Sequence, residues 1–195
     1  DAVAAMAREV LGDERKPAGI KEPIPEQAMD CPESRVATRM EVAMPMFQLG
    51  FKCEPLPKGE AGIRAEIVAD LAAEALFGES SELYLKMYEQ GLIDTSFGGG
   101  FETMDGLSLL MASGDSDDPE AVRDAILAQA KVISEQGISD EDFLRMKRSA
   151  LGRRIRSLDS FDATCFRVCA YHFSDFDYFR FPEIYRGIEA SEIQD

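Results

Sequence analysis

The sequence predicts an α+β domain, a largely antiparallel sheet with helices packed on one face. Segments of helical and strand-like pattern follow one another in the order helix, strand, two helices, strand pair, run of helices, an order typical of α+β layering. An Asp105-Gly106 dipeptide separates two strand-like segments, as in a tight hairpin. Several helical segments are bracketed by a capping side chain and a glycine, which marks where each begins and ends.

Residues 1–12 read as an amphipathic helix closed by Gly12. Pro17, Pro23, Pro25 and Pro32 exclude a regular helix from residues 13–35, which read as an extended connector. Residues 36–53 alternate loosely and carry Val, Met and Phe; they predict a strand bent at Pro45. After a Pro- and Gly-rich loop over 54–62, Ile67, Val68, Leu71, Ala72, Ala75 and Leu76 recur at helical spacing, predicting a helix over 63–77 that ends at Gly78. Ser80 is the expected cap of a second helix through Gln90, stopped by Gly91. Residues 93–104 and 106–113 form the expected strand pair. Asp118-Pro119 opens the next helix, an N-cap followed by a proline at the first helical position. Its apolar face is Val122, Ala125, Ile126, Val132 and Ile133, interrupted by Gln129, and Gly137 ends it. Ser139 and Asp142 suggest a capping box for a helix to about Leu158. Helices over 161–173 and 181–190 follow, and Ser191 is placed to cap another. The 195 residues read as a single domain, 1–195, truncated at both ends.

Composition narrows the function. Apolar residues make up 45% and charged residues 30%, the balance of a soluble globular protein. No apolar run reaches the roughly 18 residues of a membrane span. The first residues lack the basic start and apolar core of a signal peptide, so a cytoplasmic location is expected. The net charge of −16 repels nucleic acid and anionic membranes and favours basic peptides or cationic partners. Four cysteines without a C-x-x-C pair suit reduced thiols.

The motifs admit chemistry of several kinds, and each has a plainer reading. Cys165, Cys169 and His172 fall on one helical face at i, i+4 and i+7, with donors that suit zinc. The commoner reading is two buried cysteines and a partly buried histidine in a core. The Phe97-Gly98-Gly99-Gly100-Phe101 string lacks the Lys-Ser/Thr and helix start of a phosphate loop and fits a strand approached closely by backbone or ligand. Asp115, Asp117 and Asp118 lack the Gly and Glu positions of a calcium loop and fit a turn and helix cap. Arg145, Lys147, Arg148, Arg153, Arg154 and Arg156 could hold phosphate; in so acidic a chain they are expected to pair with its own carboxylates. A single histidine excludes a His-rich catalytic zinc site and any Ser-His-Asp triad that does not use His172.

The stretch LFGESSELYLKMYEQGLI over residues 76–93 resembles a hallmark of the M16 (insulinase, pitrilysin, mitochondrial processing peptidase) family. The element order, Asp118-Pro119-Glu120-Ala121, residues 138–143 and Ser157-Leu158-Asp159-Ser160 fit that family's C-terminal half, with bacterial two-half members nearest. The resemblance implies a metallohydrolase-like half-domain that closes a clamshell chamber on an extended peptide. It implies an N-terminal M16 half as partner, in the same polypeptide or as a homologous subunit, and it allows a dimer. Zinc is implied for that other half, on a His-x-x-Glu-His helix. This chain has no such motif, so no catalytic and no metal residue is assigned to it, and alone it is expected to be inactive.

In active members the C-terminal half lends an Arg and, about seven residues later, a Tyr that contact substrate and the developing oxyanion. Anchored on Gly91-Leu92, those positions fall at Met87 and Asp94, neither of which can do that chemistry. The expected role is therefore chamber closure and peptide binding, with strand addition along 93–104 and Met87, Asp94, Phe97, Gly98 and Gly99 as candidate substrate contacts. The alternative is an M16-like scaffold that binds proteins without cleaving them.

Overall fold

The structure, a computed structural model, describes residues 2–12, 28–104 and 107–194. Helix α1 spans Ala2–Leu11, strand β1 Met46–Cys53, helix α2 Glu60–Phe77 and helix α3 Glu82–Glu89. Strands β2 (Gly98–Met104) and β3 (Leu107–Asp115) follow. Helices α4 (Pro119–Gln136), α5 (Asp140–Arg156), α6 (Phe161–His172) and α7 (Phe181–Gly187) complete the fold, with short 3-10 turns after α5, before α7 and at Ala190–Ile193. Among the described residues no helix is long and apolar enough to cross a membrane.

The sheet is antiparallel throughout, in the order β1-β3-β2. Residues paired directly across strands point to the same face. Phe47, Leu49 and Phe51 of β1 therefore share a face with Ser108, Leu110 and Ala112 of β3 and with Gly99 and Phe101 of β2. That face meets the helices: Ile67 and Leu71 of α2 and Val122 and Ile126 of α4 are almost fully buried in the same core. Each such side chain contributes on the order of 1.5–3 kcal/mol by leaving water. The opposite face carries Met46 and Met104, both exposed. Helices thus cover one face of the sheet, as expected.

Several boundaries differ from expectation, each for a local reason. Helix α2 begins at Glu60, before the expected Ile63, because Gly62 tolerates a turn that a side chain could not: a Cβ there would lie 2.0 Å from the Pro57 carbonyl oxygen. Ser81, not Ser80, caps α3, accepting from the Tyr84 N–H at 3.1 Å. Gly91 (φ 66°) closes that helix, and the Leu92 N–H reaches back to the Met87 carbonyl at 2.9 Å, the six-to-one bond of a Schellman end. Residues 93–97 are not strand: the Ser96 N–H donates to Asp94 Oδ1 at 2.7 Å and the Phe97 N–H to the Asp94 carbonyl at 3.2 Å, which folds a turn ahead of β2. Of the strand expected over 36–53 only 46–53 pairs. Helix α7 stops at Gly187, short of 190, and Glu189 rather than Ser191 caps the final turn. The Asp105-Gly106 link and most of the 13–35 connector lie outside the described residues.

Asp118 caps α4, accepting from the Ala121 N–H at 3.0 Å. Ser139 caps α5 in the same way, through the Asp142 N–H. Val132, expected on the buried face of α4, is exposed beside buried Ile133. Long-range ties close the domain. Arg64 of α2 grips Glu192 at 2.7 Å and the Gly187 carbonyl at 2.8 Å, and Arg180 pairs with Glu60 at 3.0 Å.

Candidate functional site

Because β3 is central, β2 is an edge among the described strands. Its outer side borders a cleft of about 1500 Å³ walled by α2, α5 and α6. Most small-molecule pockets hold roughly 300–1,000 Å³, so this space suits an extended chain better than a compact ligand.

The floor comes from a tight helix-to-strand contact. A Cβ at Gly99 would meet the Phe77 ring at 2.5 Å and the Met111 carbonyl oxygen at 2.6 Å, whereas Gly98 and Gly100 have open space. Phe97 is buried between Phe77 and Tyr84, with ring centroids 6.2 and 6.0 Å away. The glycine string is thus the strand of close approach anticipated from the sequence.

The α2 wall carries Glu66, Asp70 and Glu74 at four-residue spacing, which aligns them along one face of the helix. Like charges at i, i+4 oppose helix formation by a few tenths of a kcal/mol, so the row does not serve the stability of α2 by itself. Arg153 of α5 neutralises Glu74 at 3.0 Å. Glu66 and Asp70 form no ion pair among the described residues. Asp70 is an exposed residue whose carboxyl is partly enclosed by the cleft wall. That partial burial, together with the Glu66 charge, pushes its carboxyl up to about 6, against the pull of Arg154 and Arg167. Burial also raises Glu66 above the usual carboxylate range.

Arg154 forms the back of the cleft. It is 8% exposed, and its guanidinium lies over the rings of Tyr171, Phe181 and Tyr178 at 5.4, 5.7 and 5.8 Å. Its Nη2 donates to the Tyr171 hydroxyl. Its Nε is buried without a partner, an omission that proteins rarely tolerate. Burial pushes the Tyr171 phenol up to about 12.

Of the five candidate contacts, Phe97, Gly98 and Gly99 line the cleft. Met87 does not: at 1% exposure it is packed in the core, because the register of α3 turns it inward with Leu83 and Tyr84. Asp94 is exposed in the turn before β2, and its Ser96 hydrogen bonds hold its carboxyl below the usual carboxylate range. Glu66 and Asp70 are not singled out by the sequence: their four-residue spacing beside Ile67 and Leu71 is visible there, but not the cavity they face. In the sequence Arg154 stands out only as part of a basic run. That run disperses: Arg145 pairs with Asp142, Lys147 reaches the Ile188 carbonyl, and only Arg153 and Arg154 enter the cleft.

Cys165, Cys169 and His172 lie exposed on α6, contrary to the buried placement expected, because α6 is an outer helix that buries only Tyr171. Among the described residues no group of three His, Cys, Asp or Glu side chains is disposed to hold a metal ion. Asp118 acts as a helix cap.

The uncharacterized zinc protease YmfH of Bacillus subtilis is 26% identical over 157 residues, covering 80% of this chain and 36% of that protein. A solved protein of Alicyclobacillus acidocaldarius described as an M16-like peptidase superposes over 100% of this chain and 48% of its own, with a TM-score of 0.86 at 21% identity. A protease from Helicobacter pylori superposes over 99% of this chain and 47% of its own, with a TM-score of 0.77 at 15% identity. The chain spans less than half the length of each of these relatives. The family model described as "Peptidase M16 inactive domain" matches residues 1–150 of the 195, and on that match the chain belongs to the M16 inactive-domain family.

Proposed function

We propose that this domain is the non-catalytic, C-terminal half of an M16 zinc peptidase, and that it closes the chamber against a zinc-bearing half and holds an extended peptide along the β2 edge. The observation that carries this reading is the juxtaposition of β2, an edge among the described strands, with the large cleft. An edge strand offers a row of free N–H and C=O groups to a second chain, and peptides are commonly bound by adding a strand to such an edge. Gly98 and Gly100 leave the backbone open to approach. Glycines also weaken the strand's own order, which binding of a peptide strand would restore.

N-methylation of the peptide tests the idea without altering the protein. A short extended peptide is prepared with N-methyl groups on either the odd or the even residues, and binding is followed by fluorescence anisotropy. In strand addition one pattern abolishes binding and the other is tolerated, because only alternate N–H groups face the edge. Equal tolerance of both patterns would show that side chains alone do the docking, and the reading would fail.

A further inference from the structure

Helix α6 carries, on the side turned away from the cleft, a row of side chains that the described residues leave uncovered. Phe161, Cys165, Cys169 and Phe173 follow one another at four-residue intervals. All four are exposed, the two rings at 81% and 87%. Phe173 is the C-cap residue and keeps helical dihedrals (φ −68°, ψ −15°), so the row runs unbroken to it. At about 100° per residue, its centre lies about 150° around the helix from the stripe that lines the cleft, which includes Ala163, Arg167 and Tyr171.

The row reads the same in both directions, Phe-Cys-Cys-Phe. A two-fold interface needs a surface complementary to itself, whereas an unlike partner has no use for that symmetry. We infer that α6 is a self-association surface, on which the α6 helices of two copies of this chain cross antiparallel, level with Arg167. Phe161 then lies opposite the partner's Phe173, and Cys165 opposite the partner's Cys169. The small thiols at the crossing point let the helix axes approach, and a pair of rings closes each end. Four-residue rows on two helices pack against each other at about −50°, the commonest helix crossing.

Charge and area agree with this occupant. A chain of net charge −16 repels its own copy, and the row contains no carboxylate. Asp162 flanks it. A parallel pair would set the two copies' Asp162 side by side. The antiparallel pair separates them by about 15 Å along the helices, beyond the roughly 8 Å screening length of physiological salt. A fully buried phenylalanine covers about 150–250 Å², so four nearly bare rings, two from each copy, account for roughly 500–900 Å². Exposed Val168 flanks the row on its other side. Interfaces below about 1,200 Å² belong to weak, reversible complexes, and the dimer is of that kind. It leaves the cleft open.

Sedimentation velocity of the whole chain between about 5 and 200 μM tests this. Wild-type protein should shift from monomer toward dimer across that range, and added salt should tighten the dimer severalfold by screening the repulsion. Phe161→Ser with Phe173→Ser should weaken association at least about tenfold while leaving the urea midpoint unchanged, since both rings are exposed. A short bis-maleimide provides a readout that leaves the rings intact. In a Cys31→Ser, Cys53→Ser background it should capture the dimer through Cys165 and Cys169, and further replacement of those two by Ser should abolish capture. A monomer at every concentration overturns the proposal and leaves the row to an unlike partner or to none. A dimer that survives loss of both rings overturns it too, because the association then lies elsewhere.

Discussion

Gly99 and Gly100 are adjacent in β2, yet they differ in what a side chain would meet. At Gly99 a Cβ collides with the Phe77 ring and the Met111 carbonyl oxygen, whereas at Gly100 it meets nothing within 4 Å. Replacing Gly99 by Ala should cost about 1–3 kcal/mol, the range of an overpacked core. Gly100→Ala should be neutral or stabilising by less than about 1 kcal/mol, since it removes freedom from the unfolded chain. Urea unfolding of the two variants checks this, and equal midpoints would overturn the packing argument. Arg154 shows another feature of the residue scale. Its position in a basic run was plain, but its burial under three aromatic rings was not, because those rings come from 17 or more residues along the chain and only the fold collects them.

At the scale of elements, local chemistry explains most boundaries. Helix α4 starts where Asp118 supplies an acceptor and Pro119 cannot use an N–H; α3 ends where Gly91 alone can adopt a positive φ cheaply. Asp118→Ala should therefore destabilise the domain by about 1 kcal/mol, read as a lowered urea midpoint with an unchanged slope; an unchanged midpoint would mean that the cap is dispensable. Where local chemistry failed, pairing decided. Residues 36–45 also alternate loosely, but β3 ends at Asp115 opposite Met46, so among the described residues the earlier ones have no strand to pair with. Residues 93–97 have strand-like composition, but the Asp94 side chain offers the backbone a competing turn.

At the scale of the molecule, the core is one contiguous cluster joining α2, α3, α4, the sheet and the α7 region. Helix α1 stands apart from it. It buries no residue, and its Val3, Val10 and Leu11 side chains are all exposed. Removal of residues 1–12 should leave the urea midpoint within about 0.5 kcal/mol-equivalent of wild type, as for surface changes generally; a marked drop would show that α1 supports the core. The amino-acid sequence by itself determined the element order, the antiparallel hairpin, most helix ends and the family resemblance, because periodicity, caps and glycine stops act within a few residues and are written contiguously. It also marked Phe97, Gly98 and Gly99. Only the tertiary structure decided that Met87 is core, that β2 is an edge, and that Glu66, Asp70 and Arg154 share one cleft. Those facts depend on which faces of α2, α5 and α6 meet beside the sheet, and contacts between residues far apart in the chain set that arrangement.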